Sequence, residues 1–180
     1  MDKVYSFKDI GLGVILIENV AYNDDRGFFM ESYNKEAFEA AGIKSNFTQY
    51  NISQSKPGVL RGMHFQKEPK AQAKLVRCMA GEIFDVAIDA RKDSKAFGKY
   101  VSVRLSGCNT ALCIPRGFAH GFVALGDEDV IVMYGVDNGY SPELERGVAW
   151  NDEDIGIKWP IKPTLISKKD ASWPKLKDVV

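Results

Sequence analysis

In the stretch Glu82-Ile83-Phe84-Asp85-Val86-Ala87-Ile88-Asp89, Phe84, Val86 and Ile88 fall on one side of an extended chain, a side that Asp85 and Asp89 do not share. Strand side chains alternate between faces, so this spacing predicts a strand with one face buried and the other in water. The same period recurs from Tyr100 to Leu105, where Val101, Val103 and Leu105 alternate with Tyr100, Ser102 and Arg104. Val130 to Tyr134 is apolar on both sides, as expected where a second sheet or a second subunit covers it. Helical signal is confined to Lys35–Ala41, with Asn34 placed to cap its start and Gly42 its end. Short strands broken by glycine, with one brief helix, predict a mainly β sandwich or barrel. Past Pro142, Trp150, Trp159 and Trp173 are interleaved with Pro160, Pro163 and Pro174; this segment is expected to wrap irregularly over the sheets rather than continue them.

The 180 residues suit a single domain spanning 1–180, and 45% hydrophobic with 27% charged residues exclude wholesale disorder. Twenty-four basic against twenty-four acidic side chains leave a formal net charge of +0. No long-range field then draws the chain to nucleic acid or to an anionic membrane, and an anionic ligand has to be held by local cations. Cys78, Cys108 and Cys113 form no CxxC pair and read as buried free thiols. Met1-Asp2-Lys3-Val4-Tyr5-Ser6 lacks the basic start and apolar stretch of a secretion signal, and the longest apolar runs are far too short to span a bilayer. A soluble, reduced, cytoplasmic protein is expected.

Chemistry is concentrated around two histidines. His64 lies in Gly58-Val59-Leu60-Arg61-Gly62-Met63-His64-Phe65-Gln66, where charge interrupts an apolar strand. Buried charge needs a ligand or a partner. Strict alternation puts Arg61 and His64 on opposite faces, so for both to reach one pocket the strand has to bulge at Gly62. His120 is framed by glycines in Gly117-Phe118-Ala119-His120-Gly121. Two histidines in the whole chain cannot supply a three-histidine metal set, and no metal is expected. Asp25-Arg26-Gly27 reads locally as a turn, although Arg26 offers a planar fork to a phosphate and Glu31 an acceptor to a hydroxyl. Gln49 and Asn51 form an amide pair on one strand face.

These residues carry a resemblance. Asp25–Glu31, Asn51–Ser53 with Gly58–Gln66, Lys74–Cys78, Gly81–Val86, Ile114–Phe122, and Tyr140–Pro142 with Gly147 and Trp150–Asp152 agree in order with the dTDP-4-dehydrorhamnose 3,5-epimerases. The chain resembles that family over nearly its full length; Asn151 departs from a block that more often reads Asp-Asp. The resemblance implies a cupin-like jelly-roll barrel or sandwich. It also implies inversion of C3 and C5 of dTDP-4-dehydro-6-deoxy-D-glucose by proton removal and return beside the C4 ketone, with no cofactor. In that pattern His64 is the base, Asp170 its carboxylate partner, Lys74 the cation facing the enolate oxygen and Tyr134 the acid on the opposite ring face. Arg26 and Arg61 would bind diphosphate or sugar, with Glu31, Gln49, Asn51, His120, Glu145 and Lys169 around the nucleotide and hexose and Tyr140 stacked on thymine. A homodimer whose N-terminal strands cross to the partner is also implied. An enzyme inverting only one carbon, and a sugar-nucleotide-binding module without catalysis, are the competing readings; the latter needs no acid and base on opposite ring faces.

Overall fold

The alternating stretches build two sheets stacked face to face in a computed structural model that describes residues 4–179. The first sheet runs, in spatial order, β1 (Tyr5–Asp9), β2 (Ile15–Asn19), β10 (Thr110–Ile114), β7 (Lys74–Ala80), β12 (Val130–Val136) and β5 (Gln49–Ser55). The second runs β13 (Glu145–Gly147), β6 (Val59–Gln66), β11 (Phe118–Leu125), β8 (Glu82–Asp89) and β9 (Tyr100–Ser106). A hairpin of β3 (Tyr22–Asp24) and β4 (Gly27–Phe29) stands apart from both. Among the described residues no strand pairs across the two sheets, so the expected mainly β, cupin-like fold takes the form of a sandwich rather than a closed barrel.

Val76, Cys78, Ile83, Leu105, Phe118 and Val132 are among the side chains that fill the space between the sheets. Helix α1 (Lys35–Ala40) forms where expected, its first turn capped by Asn34 Oδ1 accepting from Ala37 N at 3.1 Å. It covers the outside of the first sheet through Phe38, which is fully buried against Tyr5 and Phe7. Cys78 and Cys113 are buried and Cys108 half-buried, all three free. Burial pushes the Cys78 thiol up to about 11 and that of Cys113 to about 12, so neither is a thiolate near neutrality. No helix among the described residues is long and apolar enough to cross a membrane.

Two expectations need correction, those for β8 and for the C-terminal segment. Strand β8 is not half-buried: Phe84, Val86 and Ile88 pack under the C-terminal segment, while Ile83, Asp85 and Ala87 point between the sheets and are buried too. Only one face of Val130–Tyr134 is covered within this chain; Val130 and Val132 point inward, and Ile131 remains exposed beside Ile52 on β5. The C-terminal segment does extend the second sheet, because β13 pairs antiparallel with β6, and β14 (Leu165–Ile166) pairs with β6 in parallel. Prolines at 160 and 163 lie outside those two short pairings, so no ladder bond is lost to them. The rest of the segment is the irregular wrap foreseen, with half-buried Trp150 and Trp159 packed over Leu60, Val123 and Leu125.

One cation inside the first sheet escaped the pattern. Arg77 is 2% exposed and has no carboxylate partner among the described residues; its guanidinium donates to the carbonyls of Cys108 and Ser32 and to Asn19 Oδ1. Asn19 in turn donates to the Glu31 carbonyl at 2.6 Å, so Arg77 ties the chain leaving the β3–β4 hairpin to the sheet. Removing a buried donor orphans each acceptor it served. Arg77→Met is expected to lower the unfolding free energy by about 3 kcal/mol, as measured by denaturant titration, and a loss below about 1 kcal/mol would contradict this account.

Candidate active site

The site begins with an interruption in β6. Arg61 pairs with Phe122 and His64 with His120, so two residues of β6, Gly62 and Met63, stand opposite the single Gly121 of β11. Gly62 sits at φ +135°, and a Cβ added there would lie 2.5 Å from the Gly121 Cα. Only glycine fits this close approach. The bulge re-aims the strand as expected, and Arg61 and His64 both line one cavity of about 670 Å³.

His64 Nε2 lies 2.7 Å from Asp170 Oδ1. The parallel pairing of Leu165–Ile166 with Val59–Leu60 delivers the chain to α2 (Lys168–Ala171), and Ser167 caps that helix by accepting from Asp170 N. Asp170 also accepts from the Gly62 amide at 3.3 Å, so the bulge presents the imidazole and a backbone donor to the same carboxylate. Burial alone would raise the Asp170 carboxyl, but the bonds from His64, Gly62 and Ser167 together hold it below the usual carboxylate range. His64 Nδ1 has no hydrogen-bond partner among the described residues. Trp173 stands edge-on to His64, with ring centroids 6.1 Å apart, and occupies the space that a side chain at Gly147 would need.

Lys74 lies on an interior strand, because β7 runs between β10 and β12. Its Nζ is buried and donates to the His64 carbonyl at 3.0 Å. Desolvation pulls its pKa down to about 8, opposed by the charges of Asp85 and Glu145. Across the cavity, Tyr134 of β12 projects from the first sheet, whereas His64 belongs to the second. Burial pushes the Tyr134 phenol up, so it stays protonated at neutral pH. His120 Nε2 donates to both oxygens of the fully buried Asp85, at 3.0 and 2.9 Å.

At the rim, Glu145 Oε2 accepts from Tyr140 OH at 2.6 Å and from Lys169 Nζ at 2.5 Å. Burial would raise the Glu145 carboxyl, but these two bonds and the Lys169 charge keep it below its ordinary value. Tyr140 is 58% exposed, leaving its ring open to stacking. Arg61 is held by Ser55 Oγ at 2.8 Å and the Gln54 carbonyl at 2.9 Å.

Five expected binding residues do not line this cavity, Lys169 among them, which touches it only through its bond to Glu145. Arg26 sits at the exposed turn of the β3–β4 hairpin, paired with Asp24 at 2.5 Å. Glu31 accepts from Tyr5 OH at 2.8 Å, and Gln49 donates to Asn51 at 3.0 Å. Residues that local reading passed over do line it: Ser53, Ser55, Gln72 and Phe122. The serines stand two and four residues beyond Asn51 on the same face of β5, a signal available in the alternation. Asp85, which backs His120, was assigned to a solvent face.

Comparison with known proteins agrees with this geometry. The family model described as dTDP-4-dehydrorhamnose 3,5-epimerase matches residues 11–178. The dTDP-4-dehydrorhamnose 3,5-epimerase of Shigella flexneri is 52% identical over 167 residues, covering 92% of each chain. The crystal structure of the dTDP-4-dehydrorhamnose 3,5-epimerase from Sulfolobus tokodaii superposes with a TM-score of 0.91 at 44% identity, covering 98% of each chain. That of the 3,5-epimerase from Legionella pneumophila Philadelphia 1, in complex with dTDP-4-keto-L-rhamnose, gives 0.91 at 39% identity over 96% of this chain and 93% of that one. With a family match that spans almost all of the sandwich and includes every residue of the cavity wall, the chain belongs to the dTDP-4-dehydrorhamnose 3,5-epimerase family.

Proposed function

We propose that the chain inverts C3 and C5 of dTDP-4-dehydro-6-deoxy-D-glucose, giving dTDP-4-dehydro-L-rhamnose. The observation that carries this reading is the placement of His64 and Tyr134 on opposite sheets around one cavity. His64 takes the proton from a carbon beside the ketone through Nδ1, while the carboxylate on Nε2 fixes the tautomer and stabilises the imidazolium. Negative charge then gathers on the ketone oxygen, and the buried Lys74 ammonium supplies a preorganised counter-charge. Tyr134 returns a proton from the other ring face, which inverts the carbon. Tyr140, Glu145, Lys169 and Arg61 hold the nucleotide end, as local cations and acceptors must in a chain of zero net charge.

A second copy completes the site in this reading. Arg26, Glu31, Gln49 and Asn51 are then offered to the partner's cavity, and the exposed Tyr22, Phe28 and Phe29 of the hairpin and Ile52 of β5 are apolar surface for it to cover.

Incubation with dTDP-4-dehydro-6-deoxy-D-glucose in deuterated water, followed by proton NMR, is expected to show exchange at both C3 and C5. Exchange at one carbon would make it a mono-epimerase, and exchange at neither would refute the proposal. His64→Ala loses exchange by about 10²–10⁴-fold yet still binds dTDP; Tyr134→Phe keeps exchange but loses inversion on that scale. Light scattering is expected to give a dimer, and Arg26→Ala to weaken dTDP binding; a monomer with full activity would exclude the shared site. Lys74 carries its proton below about pH 8 and sheds it above. The kcat/KM profile should therefore fall as pH rises through about 8, and a profile still level near pH 10 would remove Lys74 from the reaction.

A further inference from the structure

Asp85 lies behind the cavity wall, 0% exposed, between Ile83 and Ala87 on the inward face of β8. Its only hydrogen-bond donor among the described residues is His120 Nε2. A carboxylate sealed in an apolar layer with one imidazole is poorly compensated. Lys74, 7% exposed, reaches the same neighbourhood: its Nζ donates to the carbonyl of His64, the register partner of His120, and among the described residues it has no bond to an acid. The other titratable groups around the cavity are the exposed Lys56 after β5, Arg61 and His64 on β6, His120 on β11, Tyr134 on β12, Tyr140 before β13, Glu145 on β13, and Asp170 in α2. Of the two further carboxylates, Asp170 is committed to His64, and Glu145 to Lys169 and Tyr140. Asp85 is left as the counter-charge for Lys74, and it is the leading charge favouring the ammonium.

We infer that Asp85 is a positioning residue shared by two cavity groups: its buried charge fixes the His120 ring through Nε2, and the same charge holds Lys74 as an ammonium ready for the enolate. The bond to Nε2 leaves His120 Nδ1, which has no partner among the described residues, for a ligand in the cavity that the ring lines. Asp85 touches no substrate itself. Its catalytic consequence rests on the epimerase reading, whereas the coupling of Asp85 to Lys74 does not.

The test is Asp85→Asn, which keeps the side-chain shape and removes the charge. With isotopically labelled lysine, the Lys74 side-chain NMR signal, assigned by its loss in Lys74→Met, is expected to titrate near pH 8 in the unaltered chain. In Asp85→Asn it should titrate about one pH unit lower, the scale on which a neighbouring opposite charge acts. The alkaline limb of kcat/KM moves with it, while dTDP binding persists. A Lys74 titration that stays in place overturns the inference whatever reaction the protein performs. A shifted titration in a protein that exchanges no deuterium removes the reaction and upholds the coupling. Should Asp85→Asn fail to fold near neutral pH, the double variant Asp85→Asn/Lys74→Met, which also removes the stranded charge, is expected to recover the fold; a double variant no more stable than the single one overturns the inference.

Discussion

The site depends on a 2.7 Å contact between two residues 106 positions apart, His64 and Asp170. Neither end of that contact is rigid by itself. The strand end requires a bulge that only glycine permits, and the helix end requires a one-turn helix too short to be stable alone, capped by Ser167 and steered by a two-residue parallel pairing. The contact also converts an expensive burial into a satisfied one, because the carboxylate collects an imidazole and a backbone amide.

A second histidine–carboxylate pair stands beside the first, its histidine on the neighbouring strand of the same sheet, with different exposure. The His64 side chain is 32% exposed and its partner 7%, whereas the corresponding values for His120 and Asp85 are 9% and 0%. The more exposed imidazole is the one that solvent and ligand can reach, as the proposed base must be. A pair sealed in the apolar layer is suited to a fixed orientation and a standing charge. Two residues of the same chemistry are thus separated in role by depth.

Much of this could be read before any coordinates. The strands, the helix opened by Asn34, and the need for a bulge between Arg61 and His64 follow from periodicity and from the requirements of glycine. Asp85 escaped because alternation reveals which side chains share a face but not whether the other face meets water; here it meets the first sheet. Arg77 was missed because its partners are backbone carbonyls on distant segments, which have no signature in side-chain identity. Asp170, in Ser167-Lys168-Lys169-Asp170, reads locally as a solvated tail, and only the family resemblance singled it out. Arg26 and Glu31 were expected at the cavity from that same resemblance, but one chain alone leaves them outside it.

The order in which these parts occur along the chain has a further effect. Synthesis produces β1 through β13, and with them His64, Lys74 and Tyr134, before the segment that carries Asp170 exists. The stretch leading to that segment, around 160–164, is largely exposed. A chain interrupted, or clipped by a protease, in that stretch would retain every strand of both sheets except the short β14 and lack the carboxylate that His64 contacts. Such fragments would leave the His64 imidazole without its carboxylate and one wall of the cavity open, so the finished shape of the cavity depends on a short segment that is made late and reached through an exposed stretch.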